Sequence, residues 1–155
     1  MIITATLDDL DTIVRHRASM FRDMGHRDEA AIHAMTDAFE PWLRRKMAAG
    51  EYLAWLVVED GQTVAGLGLW LMDWPPHMIG PGSPRGNILN VYTEPAYRRR
   101  GLARGLMQQA LDWCRDHRIH SVILHASPQG RPLYEGLSFY QTNEMRVELT
   151  PGLPR

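Results

Sequence analysis

Residues 97–107, Tyr-Arg-Arg-Arg-Gly-Leu-Ala-Arg-Gly-Leu-Met, place four arginines and two glycines where a strand-like run gives way to a helix-like one. A tight glycine-containing turn that opens a helix points unbonded backbone N–H groups at one spot. The helix dipole adds roughly half a positive charge there. Chemistry of that kind holds a phosphate.

The elements that position this turn can be read from periodicity. Residues 87–94 form a strand ended by Pro95, and residues 101–117 an amphipathic helix with Leu102, Leu106, Met107, Ala110 and Cys114 on one side. Residues 121–126 are another strand and 132–137 a short helix, so the unit over 87–126 is expected to be a right-handed parallel crossover. Upstream, residues 2–5 read as a first strand, and Thr6 with Asp9 matches a capping box that starts a helix. Leu10, Ile13, Val14, Phe21 and Met24 recur at helical spacing up to Gly25. Asp28 caps a second helix with Ile32, Met35, Phe39, Trp42, Leu43 and Met47 on its apolar face; Pro41 is expected to divide it into two pieces. Residues 52–59 and 63–72 are strands joined by an Asp60-Gly61 hairpin. Gly66 and Gly68 share a face of the second, which marks a bulge or a close approach. Residues 73–86 are a Pro- and Gly-rich loop, long enough to suggest function. Met145, Val147 and Leu149 alternate as in a final strand. The order β-α-α-β-β-β-α-β-α-β predicts an α/β (α+β) fold with a mixed sheet, as a single domain over residues 1–155.

Composition bounds the function. A chain of 155 residues, 45% hydrophobic and 23% charged, suits one folded domain with a real core. A net charge of -1 provides no overall attraction to nucleic acid or to membranes, and neither is expected as a partner. Cys114 is the only cysteine, so disulfide frameworks and thiolate metal sites within the chain are excluded. The seven histidines lack a His-Glu-x-x-His spacing, so no metal is expected. The N-terminal Met-Ile-Ile-Thr-Ala-Thr does not read as a signal peptide, and no apolar run approaches ~20 residues. A cytoplasmic location is the expectation.

The run Arg98-Arg99-Arg100-Gly101-Leu102-Ala103 resembles the Gln/Arg-x-x-Gly-x-Gly/Ala motif of the GCN5-related N-acetyltransferases, the GNAT superfamily. Residues 88–95 resemble that family's fourth strand. Leu124-His125-Ala126-Ser127, followed by Gly130-Arg131-Pro132-Leu133-Tyr134-Glu135, resembles its fifth strand and the helix after it. Leu137-Ser138-Phe139 stands where the family often has Leu-Gly-Phe, with Ser138 a departure. The resemblance implies a central, mostly antiparallel twisted sheet of roughly six or seven strands flanked by about four helices, with strands 4 and 5 parallel and splayed. It also implies acetyl-CoA as acetyl donor. The pyrophosphate would lie on the N–H groups of residues 99–104, where Gly101 and Ala103 leave room for it and Arg98, Arg99 and Arg104 add charge. Arg100 reads as surface packing. Val91, Tyr92 and Thr93 would receive the pantetheine arm and the acetyl group through their backbone. Leu102, Ser127 and Tyr134 complete the cofactor-binding set.

The reaction so implied is attack of a neutral primary amine on the thioester in a ternary complex, making the chain an N-acetyltransferase. Tyr134 stands where the family has its tyrosine acid, and its phenol would protonate the leaving thiolate. The base is open among Glu94, Asn90 with Tyr92 through a water, Asp73, His77, His125 and a water relay without an essential base. The acceptor, a small-molecule or peptide amine, would meet His16, Met20, Phe21 and His26 of the first helix region and Trp70 and Trp74. Two other readings are an acetyl-CoA-binding sensor or partner-binding module without catalysis, and an enzyme for a longer acyl chain with room beside Gly66 and Gly68. The resemblance allows a homodimer. Cys114 reads as inert core.

Overall fold

The computed structural model describes residues 1–150. The chain forms two compact units, residues 1–125 and the segment from Ala126 onward.

In the first unit the elements run β1 (Ile2–Thr4), a 3-10 turn (Leu7–Asp9), α1 (Leu10–Asp23), α2 (Glu29–Ala48), β2 (Tyr52–Glu59), β3 (Gln62–Met72), β4 (Arg85–Thr93), a second 3-10 turn (Pro95–Tyr97), α3 (Leu102–Asp116) and β5 (Val122–Leu124). The expected capping box is present. The Asp9 carboxylate accepts from the Thr6 N–H at 2.8 Å, and the Thr6 hydroxyl accepts from the Asp8 N–H at 3.3 Å. The box opens the 3-10 turn, and α1 follows one residue later. Asp60 and Gly61 take φ of 50° and 75°, the left-handed pair that a two-residue hairpin requires.

One expectation fails at Pro41. The residue lies inside a continuous α2 rather than between two helices. Its ring removes one backbone donor, but Ile32 and Phe39 before it and Leu43 after it are all buried, so both halves are docked by one apolar stripe. Pro41 itself faces outward.

The sheet has five strands in the order β1-β2-β3-β4-β5. The first three pairings are antiparallel and β4–β5 is parallel. One face of the sheet is covered by α1 and α2: Tyr52, Ala54 and Leu56 of β2 pack with Leu10, Ile13, Phe39 and Leu43. α3 packs against β2, β3 and β4 and buries Leu106, Met107, Ala110 and Cys114. The Trp55 and Trp113 rings meet with centroids 6.3 Å apart.

β3 lacks side chains at two points on the α1 side. A Cβ on Gly68 would stand 1.9 Å from the Tyr52 hydroxyl, and one on Gly66 would stand 2.9 Å from Leu56 and 3.0 Å from His16 Nδ1. Both of the alternatives expected for this pair hold, because the β3–β4 register also shifts here. Gly66 pairs with Tyr92 and Gly68 with Leu89, so Asn90 and Val91 of β4 face the single residue Leu67. This is a β-bulge. Asn90 takes the positive φ of 55° that the bulge demands.

The second unit contains α4 (Arg131–Glu135). Met145, Val147 and Leu149 do not form the expected final strand. No strand is present in that stretch, and the three side chains are 94%, 74% and 87% exposed. Alternation makes a strand only where a neighbouring edge supplies N–H and C=O partners, and no strand pairing among the described residues includes these three.

Replacing Gly68 by Ala is expected to displace Tyr52 and lower stability by about 3 kcal/mol. Gly105→Ala in α3, whose new Cβ would have its nearest contact at an ordinary 3.7 Å, should instead add about 0.5–1 kcal/mol. Urea unfolding of both variants checks the contrast.

Candidate active site

The sequence-selected residues from Val91 to Arg104 lie on one continuous path: the end of β4, the 3-10 turn and the start of α3. β4 pairs with β5 only at Gly86, Asn87 and Ile88. Beyond Ile88 the two parallel strands hold no common register, so β5 forms no ladder with β4 through the bulge or along Val91, Tyr92 and Thr93. An unpaired edge offers backbone donors and acceptors to an extended ligand.

The turn after β4 gathers unbonded N–H groups. Arg99 and Gly101 take left-handed φ of 62° and 78°, with Arg100 between them at negative φ. Such alternation turns successive N–H groups toward one side. Gly101 is the N-cap of α3 and offers no side-chain cap. The first backbone bond of the helix is from Gly105 N–H to the Gly101 carbonyl at 3.0 Å. The N–H groups of Leu102, Ala103 and Arg104 therefore have no intrahelical acceptor. A Cβ on Gly101 would meet nothing within 4 Å, so the space before the helix is open.

The four arginines divide by their partners. Arg98 is a brace: its Nε donates to the Thr93 carbonyl at 2.9 Å, its guanidinium pairs with Asp23 of α1, and it stands 5.8 Å from the Tyr92 ring. Arg100 pairs with Glu59 at 3.0 Å and covers the Tyr97 ring, in line with its reading as surface packing. Arg99 and Arg104 are exposed and have no hydrogen bond or ion pair among the described residues.

On the α1 side of the bulge lies a polar network that the sequence reading only partly anticipated. Asn90, expected to hold a water with Tyr92, is buried and accepts from Arg17 Nη1 at 2.7 Å while donating to the Tyr52 hydroxyl at 2.9 Å. Burial pushes the Tyr52 phenol above its ordinary pKa, against the opposing pull of Asn90 and Arg17. Glu94 accepts from Arg15 at 2.5 Å and from the Tyr92 hydroxyl at 3.2 Å. Burial alone would raise its carboxyl, but Arg15 holds it below the ordinary value. His16, 1% exposed, lies tilted by 45° against the Tyr92 ring with centroids 5.0 Å apart, and its Nε2 is 3.9 Å from Glu94. Burial, and then Arg15, push its pKa down to about 4, so the imidazole is neutral at pH 7. His16, Gly66, Gly68 and Asn90 border a cavity of about 10 Å³, the size of a single water.

One expectation is corrected here. Gly66 and Gly68 give no room to a longer acyl chain, because Tyr52, Leu56 and His16 fill it. Trp74, in the 73–84 loop, is 38% exposed and carries Arg85 at 3.7 Å from its ring, and Trp70 meets the Trp42 ring at 5.3 Å. His77 accepts from the Ile79 N–H within that loop. Cys114 is buried, and burial raises its thiol to about 11, so it is inert. Arg17 and Tyr52 were not singled out from the sequence. The available signal was positional: Arg17 falls four residues after Ile13 and four before Phe21, on the apolar stripe of α1.

Ser127 and Tyr134 belong to the second unit. Ser127 precedes α4 and its hydroxyl accepts from the Gly130 N–H at 3.1 Å. Tyr134 is buried in α4, its ring against Gly130 and 6.2 Å from that of Phe139. Burial raises its phenol, and it makes no hydrogen bond among the described residues.

The acetyltransferase (GNAT) family profile matches residues 12–139. The chain belongs to the GNAT acetyltransferase family. A GCN5-related N-acetyltransferase from Ralstonia eutropha JMP134 superposes with a TM-score of 0.89 at 38% identity, covering 96% of this chain and 97% of that one. A predicted acetyltransferase from Clostridium acetobutylicum, crystallised with acetyl-CoA, superposes at 0.87 with 27% identity over 97% of this chain and 95% of that one. A glucosamine 6-phosphate N-acetyltransferase from Trypanosoma brucei brucei is 32% identical over 75 residues, 48% of this GNAT chain and 51% of that relative. The chain thus spans about half the length of that relative. Among the described residues of this acetyltransferase no helix is long and apolar enough to cross a membrane, and no three His, Cys, Asp or Glu side chains are grouped to hold a metal ion.

His16 generates a pH prediction. An unfolded chain takes up a proton near pH 6.5, which the folded chain refuses until about pH 4. Stability is therefore complete above pH 6.5 and falls as pH drops from 6.5 toward 4, by up to about 3 kcal/mol. Urea unfolding at stepped pH should show this slope, and His16→Gln should flatten it.

Proposed function

We propose that this chain transfers the acetyl group of acetyl-CoA to a primary amine by direct attack in a ternary complex, and that residues 1–155 act as one catalytic domain. The observation that carries the reading is the uncapped start of α3 beside the stretch of β4 that β5 leaves unpaired, on a chain of the GNAT family. The N–H groups of Leu102, Ala103 and Arg104 would hold the donor's pyrophosphate, with Arg99 and Arg104 as free counter-charges. Arg98 would act through its backbone and its brace between α1 and β4. Val91, Tyr92 and Thr93 would bind the pantetheine arm as an added strand, and an N–H near Val91 would polarise the thioester carbonyl.

The amine nitrogen forms the new C–N bond as the C–S bond breaks. Tyr134 gives its phenolic proton to the departing sulfur, and the proton lost by the amine leaves through water. Burial supports the acid role, since it keeps the phenol protonated. The carboxyl of Glu94 and the imidazole of His16 are both held below their ordinary pKa. Neither is tuned as a strong base, which supports a water relay over a single essential base. The similarity to a glucosamine 6-phosphate N-acetyltransferase supports a small amine as acceptor.

Thiol release from acetyl-CoA against an amine library tests the activity. The double variant Arg99→Ala/Arg104→Ala should weaken acetyl-CoA binding about tenfold by calorimetry, with an unchanged circular dichroism spectrum. Tyr134→Phe should lower kcat about 100-fold. Turnover unchanged at every pH would remove Tyr134 from the acid role.

A further inference from the structure

We propose that Arg17 is an anion-binding residue of the acceptor site, and that the acceptor is therefore a small amine that also carries a carboxylate or a phosphate. The proposal rests on the acetyl-transfer reading above for where the amine reacts.

Arg17 projects from α1 into the aromatic side of the core. Its guanidinium carbon lies 4.6 Å from the centroid of the Phe39 ring and 5.2 Å from that of Phe21. Beyond these rings, Phe39 and Trp42 stack at 5.8 Å, and Trp42 meets Trp70 edge-on. Contact with these rings restricts the guanidinium, whose planar fork of N–H donors is pre-organised. Of five donors, one is used among the described residues: Nη1 binds the Asn90 oxygen. Nε is buried without a partner.

The charge is also uncompensated. Arg15 and Arg22 on the same helix have Glu94 and Glu29 as partners. Arg17, more enclosed than either, has no carboxylate within 4 Å among the described residues. The nearby Tyr52 is a neutral phenol, since burial raises its pKa. A cation withdrawn from water without a counter-ion is costly, and an arriving anion recovers that cost. Asn90, which Arg17 holds, is the bulge residue next to Val91. The anion site is therefore one side chain from the proposed thioester position. This spacing fits a compact acceptor, whose charge is bound by Arg17 while its nitrogen reaches the carbonyl. If Arg17 merely braced Asn90, it would treat charged and neutral amines alike.

The test compares matched acceptors. One arm sets glucosamine 6-phosphate against glucosamine; the other sets a panel of α-amino acids against their amides. In the wild type the charged member of at least one arm should have a kcat/KM at least about tenfold higher, and the arm identifies phosphate or carboxylate. In Arg17→Met this ratio should fall to about one. No preference in either arm, or an equal loss for both members, overturns the proposal. Arg17→Lys, which keeps the charge without the fork, covers the case in which Arg17→Met does not fold; it should show an intermediate ratio, and an undiminished one counts against the proposal. If acetyl-CoA binds but no amine is acetylated, the acetyl-transfer reading fails. The anion site is then read from melting temperature with CoA saturating. Inorganic phosphate should raise it in the wild type more than in Arg17→Lys, and equal shifts overturn the site.

Discussion

The bulge at Asn90 and Val91 is the constraint on which the rest of the site depends. One extra residue in β4 forces Asn90 into a left-handed conformation, a strain that persists only when its surroundings over-determine it. Here the surroundings are specific. Two glycines on β3 open a hollow, Tyr52 fills it, and its hydroxyl accepts from Asn90. Arg17 fixes the other end of the same amide. The residues after the bulge, Val91 to Thr93, run beside an edge that β5 no longer covers. A small irregularity on one strand is thus paid for by packing on its neighbour.

The two faces of the sheet then take different tasks. α3 caps one face with apolar residues, and its uncapped start presents N–H groups next to the end of β4. The α1–α2 face holds the polar network, the aromatic rings and the water-sized cavity. Electrostatics follows the same division. Arg98 and Arg100 are neutralised by Asp23 and Glu59 and act as struts. Arg99 and Arg104 on one side, and Arg17 on the other, remain without carboxylate partners among the described residues. A protein of net charge -1 thereby keeps local positive charge at two places, one fully hydrated and one enclosed.

Legibility from the sequence varied by physical cause. The Asp60-Gly61 hairpin, the Thr6 capping box and the α3 start were readable because each is settled by residues a few positions apart. Pro41 misled because propensity is a local term, whereas the buried Ile32, Phe39 and Leu43 hold α2 as one element. Met145, Val147 and Leu149 misled for the opposite reason: the pattern of a strand is local, but its hydrogen bonds must come from elsewhere. The bulge was half legible, in that Gly66 and Gly68 marked the place without showing which strand held the extra residue.

The sequence by itself determined the phosphate-type turn at Arg98 to Arg104, the order of elements around it and the family to which they are similar, because turn chemistry and periodicity depend on neighbours along the chain. Only the tertiary structure decided which arginines are free. Arg98 is consumed by Asp23, 75 positions away, and Arg17 meets Asn90 across 73. Whether a charge is paired, hydrated or enclosed depends on distances through space, and those are set by how the helices dock on the sheet rather than by spacing in the chain.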